Sequence, residues 1–178
     1  MSSSSAIPLP TWSIVTSFLS HDEATKLVDS IPALKSSTTT LFDRKHWRGE
    51  SATGDHPRCT DIIPTENENG VVHSVSIDFR WCDQGWGNKK GRLSIVAHNH
   101  VIDQRDDDSR RGHNNFQDGR IVCQTGIAPQ IVEKEQLQFY PQPNEHYSLW
   151  YQVGGGGGHE LTVENVQICT VYFDNEFV

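Results

Sequence analysis

Between Val71 and Trp81 the chain alternates without a break. Val71, His73, Val75, Ile77, Phe79 and Trp81 fall on one parity, and Val72, Ser74, Ser76, Asp78 and Arg80 on the other. A period of two places one set against a core and the other toward the outside of a sheet, which is a strand and not a helix. Leu93–Ile102, Ile121–Gln124, Gln136–Tyr140 and His146–Val153 read as further strands, with weaker ones over Leu41–Trp47 and Cys59–Ile63. The last strand runs from Glu160 to Phe173. There Leu161 and Val163 share a face while Val166 and Ile168 take the opposite parity, so a bulge is expected at Glu164–Asn165. Val 14 and Ile 12 outnumber Leu 9 and Ala 6, and β-branched side chains favour the pleat over the helix. Seven or eight short strands with few helices predict a mainly β protein, an antiparallel β-sandwich of the jelly-roll kind.

The first forty residues follow a different rule. Ile14, Val15, Phe18 and Leu19 recur at helical spacing, and Ser20-His21-Asp22-Glu23 is a capping-box pattern ahead of Ala24, Leu27, Val28 and Ile31. Pro32 ends the pattern and Ser36–Thr40 reads as a linker. The expected division is a short helical hairpin with its linker over 1–40 and the sandwich over 41–178.

Charge narrows the partners. Asp and Glu number 23 against 15 Lys and Arg, a net charge of −8. Nucleic acid and anionic membrane both call for a basic footprint, so neither is an expected partner. The small basic turn Asn88–Arg92 reads as a solvated tip. No run of about 20 apolar residues crosses a bilayer. Met1–Pro10 lacks the basic and apolar regions of a signal peptide. With Cys59, Cys82, Cys123 and Cys169 widely spaced, the expectation is reduced thiols in a cytoplasmic or nuclear protein.

Two glycine-rich connections stand out. Asp83-Gln84-Gly85-Trp86-Gly87-Asn88 places a tryptophan between two glycines and among polar side chains. The flat face of Trp86 matches the C–H face of a pyranose, while Asp83, Gln84 and Asn88 suit its hydroxyls. The competing reading folds Trp86 back to plug the sandwich. Gly154–Gly158, centred on Gly156 and followed by His159, exposes bare amides to an approaching ligand or serves as a long hairpin loop.

His98-Asn99-His100 has a chelating spacing on a strand. Cupins follow such a pair with a Glu, where this chain has Val101-Ile102-Asp103-Gln104. The favoured reading is therefore a surface-facing pair, with a metal site at His98 and His100 as the alternative. Asp106-Asp107-Asp108 lacks the alternating register of a calcium loop. There is no Gly-x-Ser-x-Gly, P-loop or dinucleotide fingerprint.

The run Asp83–Gly91, with Gly154–Leu161 and Val163-Glu164-Asn165-Val166, resembles a group of fungal, algal and protist proteins that carry a DQGWGN turn and a late GHEL strand start. The resemblance covers Leu41 to Val178. It implies a sandwich similar to the galactose-binding-like jelly roll and to the sugar-binding F-box-associated domain. Leu9-Pro10, Ile14-Val15, Ser17-Phe18-Leu19, Ala24 and Leu27 resemble the first half of an F-box, at shorter spacing and without its usual end unless Arg44-Lys45-His46-Trp47 supplies it. That resemblance implies a ubiquitin-ligase scaffold as partner; a plain helical cap on the sandwich explains the same apolar spacing.

The functional expectation is a ligand-binding module without catalysis and without a cofactor. It would take a glycan or a protein through Asp83, Gln84, Trp86, Asn88, Gly156 and His159. The alternative is a cupin-like metal-dependent enzyme built on His98 and His100.

Overall fold

A computed structural model describes residues 31, 33–49, 57–85, 90–101, 119–154 and 158–174. They form eight strands: β1 Leu34–Arg48, β2 Arg58–Ile63, β3 Gly70–Asp83, β4 Arg92–His98, β5 Arg120–Gln124, β6 Glu133–Phe139, β7 His146–Gln152 and β8 Glu160–Asp174. One antiparallel sheet has the order β1-β8-β3-β6 and the other β2-β7-β4-β5. Among the described residues the chain changes sheet at every connection except β4 to β5.

The alternating residues do what their period dictates. Val75, Ile77, Phe79 and Trp81 of β3 meet Leu93, Ile95 and Ala97 of β4 and Tyr147 and Leu149 of β7 in one core, closed by Leu161, Val163, Val166 and Ile168 of β8. The bulge expected in the last strand is present. Asp78 pairs with Gln167 and Arg80 with Glu164, so two residues of β8 oppose Phe79. Asn165 takes a φ of 53°, a left-handed conformation that asparagine tolerates better than most residues. The bulge returns Val166 and Ile168 to the core face, where both are buried.

The structure corrects one boundary. Ser36–Thr40, expected as linker, lies inside β1, whose Leu34–Thr40 half pairs with Gln167–Phe173 of β8. Lys35 to Thr40 are exposed, so no apolar alternation marks this edge strand; its serines and β-branched threonines are held by hydrogen bonds to the neighbouring backbone. The expected helices over 1–30, and the F-box-like pattern they carry, lie outside the described residues.

Near the β1–β2 side a lysine spans the two sheets. Lys45 of β1 donates to Asp61 Oδ2 at 2.5 Å and to Thr60 Oγ1 at 3.0 Å, both on β2. Its ammonium also sits 4.5 Å from the centroid of the Phe42 ring. An inward-reaching charge on an edge strand also discourages edge-to-edge pairing with other chains.

Candidate functional site

The top of the sandwich, where β3 ends and β8 begins, gathers the two glycine-rich connections. Asp83 is 4 % exposed, and burying a carboxylate is costly unless its oxygens are bonded. Here Oδ1 accepts from the Gln84 amide at 2.7 Å, and Oδ2 from the amides of Lys90 at 2.9 Å and Gly91 at 2.7 Å. One side chain thus holds both ends of the turn that leaves at Gln84 and returns at Lys90. The Asp83 amide in turn donates to Pro129 O, and Ala128 N to Gly91 O, which ties the β5–β6 connection to the same place.

Gln84, 6 % exposed, joins this turn to the other loop. Its Oε1 accepts from the Glu160 amide at 3.0 Å, and its Nε2 lies 3.0 Å from His159 Nδ1. The first bond fixes the orientation of the carboxamide, so Nε2 is the donor and Nδ1 the acceptor. An imidazole that accepts at Nδ1 carries its hydrogen on Nε2, so this arrangement presents His159 Nε2–H as a donor. The His159 carbonyl accepts from Gly49 N at 2.7 Å, which brings in the end of β1.

Glycine is required where these chains meet. A Cβ on Gly49 would stand 2.6 Å from the Gly154 carbonyl oxygen. Gly154 itself has a φ of 106°, which L side chains rarely adopt, and a Cβ there would meet Lys90 Cδ at 2.8 Å. Around this knot Arg48 pairs with Glu160 at 3.1 Å, and His46 Nδ1 lies 2.9 Å from Thr162 Oγ1. Trp47 of β1 stacks on Tyr151 of β7 with centroids 4.2 Å apart and planes at 15°. Trp47 at this end was not singled out from sequence, because only pairing of β1 with Leu161 brings it here.

Of the expected ligand residues, Asp83, Gln84 and His159 come together. Trp86, Asn88 and Gly156 lie outside the described residues.

The histidine pair differs from its expected exposure. His98 is 1 % exposed and not on the surface, whereas His100 is exposed. His98 Nε2 lies 3.0 Å from Ser148 Oγ, and that oxygen accepts from Trp150 Nε1 at 2.7 Å. The His98 ring lies nearly parallel to that of Trp150, with centroids 6.3 Å apart. These side chains occupy the parity of β4 and β7 opposite Leu93, Ile95, Tyr147 and Leu149, so a second buried layer lies behind the sheet. Among the described residues no three His, Cys, Asp or Glu side chains are grouped to hold a metal.

A cleft of about 590 Å³ opens at the other end, between the β2–β3 connection and the β6–β7 turn. Its wall is the stretch from Pro141 to His146, where Tyr147 OH accepts from Gln142 N at 2.8 Å and donates to Glu145 Oε2 at 2.6 Å. That hydrogen bond, with the Arg120 guanidinium 3.0 Å away, holds the Glu145 carboxyl below its usual range despite the opposing effect of burial. Pro141-Gln142-Pro143-Asn144 is the visible sequence signal for this turn, though nothing in it announces a cleft.

No protein-family profile matches the chain, and neither does any curated protein sequence. Among solved structures it is similar to that of infectious bursal disease virus, Gt strain, at 11 % identity over 80 % of this chain and 34 % of that one, TM-score 0.43. The chain therefore spans about a third of the length of that protein. It is also similar to Eiger TNF from S. frugiperda, at 7 % identity over 79 % of this chain and 93 % of that one, TM-score 0.40. A third is the C-terminal CBM6 of LamC, a marine laminarinase from Zobellia galactanivorans, at 9 % identity over 76 % and 99 %, TM-score 0.35. Among the described residues no helix is long and apolar enough to cross a membrane.

Proposed function

We propose that the protein is a carbohydrate-binding module without catalysis, a galactose-binding-like jelly roll that takes its ligand at the Asp83–His159 end. The observation that supports this most is the double anchoring of the turn after Asp83. One buried carboxylate bonds the amides at both ends of the turn, and Gln84 fastens it to His159 and Glu160. Asp83, Gln84 and His159, held in advance at this end, lose little conformational entropy when a ligand arrives, which is how a small polar site gains affinity.

In the proposed complex Trp86 stacks on the C–H face of a pyranose. Asn88 and His159 Nε2–H take hydroxyls, Gln84 positions His159, and Gly156 lets the ligand approach the backbone. Asp83 acts by positioning: its oxygens already serve three amides.

A glycan array on the purified chain tests this, followed by titration of the best-bound glycan into wild type and Trp86→Ala. The expected outcome is binding that weakens about tenfold or more in Trp86→Ala, at an unchanged melting temperature. If no glycan binds and Trp86→Ala unfolds the protein, Trp86 is a plug and the reading fails.

A further inference from the structure

The cleft at the far end of the sandwich is separate from the Asp83–His159 rim. It opens beside Val71 at the start of β3 and Asn99 just past β4, whereas Asp83 ends β3 and Arg92 begins β4. Its volume of about 590 Å³ falls within the range of small-molecule sites. Two kinds of group line it. Val71, Val72, Pro141 and Pro143 offer apolar C–H surface, and Val71 is 59 % exposed. Asn99, Gln142 and Asn144 offer carboxamides, each both donor and acceptor, beside the carboxylates of Glu66 and Glu145. Among the described lining residues none is lysine or arginine, and the Arg120 guanidinium beside the wall is paired with Glu145. Glu145 is already engaged by Arg120 and Tyr147, which lessens the pull of the cleft on a cation.

The wall is built in advance. The Tyr147 hydroxyl holds the Gln142 amide, the Glu145 amide donates to Gln142 O at 3.3 Å, and Asn144 is held at a φ of 64°. A left-handed non-glycine residue between fixed neighbours is a local conformation that the surroundings determine.

We propose that this cleft is a second ligand site, for a neutral saccharide: an apolar floor for the C–H face and planar carboxamides for neighbouring hydroxyls. Among the described lining residues none is tryptophan, tyrosine or phenylalanine, so the expected affinity is low, on the order of millimolar. The site is independent of the loop-end reading and stands or falls separately.

Heteronuclear NMR of the full chain tests it, with maltose, cellobiose and lactose as neutral probes and spermidine and phosphate as charged ones. The expected result is saturable shifts of the Asn99, Gln142 and Asn144 side-chain amides with at least one disaccharide. The affinity falls about tenfold in the Asn99→Ala/Gln142→Ala double variant and is unchanged in Trp86→Ala. Both substituted side chains are exposed, and the backbone spectrum checks that the fold persists. Three results overturn the proposal: no saturable shift with any disaccharide, saturation that the double variant leaves unaltered, or saturation by spermidine or phosphate alone.

Discussion

Replacing Asp83 by alanine removes the acceptor of three backbone amides at 2.7, 2.9 and 2.7 Å. A hydrogen bond to a charged acceptor contributes about 1.5–3 kcal/mol, and an orphaned buried donor keeps its desolvation penalty. The three losses are unequal. Gln84 N also donates to Glu160 O at 3.1 Å, so it retains a partner, whereas the Lys90 and Gly91 amides do not have a second acceptor among the described contacts. Two orphaned amides set the cost of Asp83→Ala at about 3–5 kcal/mol, a large share of the roughly 5–15 kcal/mol that holds a domain folded. Asp83→Asn is gentler. Its carboxamide oxygen in the Oδ2 position still serves Lys90 and Gly91, and only the Gln84 bond is lost, at about 1–2 kcal/mol. Urea unfolding followed by tryptophan fluorescence reads both values. Thermal midpoints should fall by about 6–20 °C for the alanine variant, at about 2–4 °C per kcal/mol for a chain of this size. An alanine variant within about 1 kcal/mol of wild type, or an asparagine variant no better than alanine, refutes the anchoring argument.

Gly91→Ala should destabilise by about 1–3 kcal/mol through overpacking, because its Cβ would meet Leu161 Cδ1 at 2.8 Å and Asp83 Oδ2 at 3.0 Å; differential scanning calorimetry checks it. Burial pushes the Cys123 thiol up from 9.0 to about 11, so in the native protein near neutral pH it is the unreactive thiol form. Mass-mapped alkylation with iodoacetamide should spare Cys123 in the folded chain and label it after unfolding; equal labelling in both states contradicts this burial. Burial, helped by the Glu145 hydrogen bond, likewise pushes Tyr147 from 10.0 to about 12. Both groups hold their protons more tightly folded than unfolded. Their contribution is therefore complete below about pH 9 and declines as pH rises through 9 toward 12, which urea midpoints measured across that window should follow.

The parts legible in the sequence are those governed by local pattern. The parity of Val75, Ile77, Phe79 and Trp81 gave the core face of β3, and the parity slip between Val163 and Val166 gave the Asn165 bulge, because side-chain period and burial are tied along a single strand. Lys35–Thr40 was not legible: an exposed edge strand buries no alternating set, and its identity comes from pairing with β8. The convergence of the Asp83 and His159 loops was anticipated from their glycines and polar residues. What turned on geometry was the direction of the side chains, with Asp83 aimed back at its own turn and Gln84 used as a bridge. The burial of His98 was likewise hidden, since a strand's own sequence does not say whether the sheet face behind it is covered.

The measurement closest to the central claim is an NMR map of the best array glycan on the uniformly labelled chain. Saturable shifts of the amides from Gly85 to Lys90 and from Gly154 to His159 are expected, and they are lost in Trp86→Ala. Saturable binding that leaves all of these amides unmoved contradicts it.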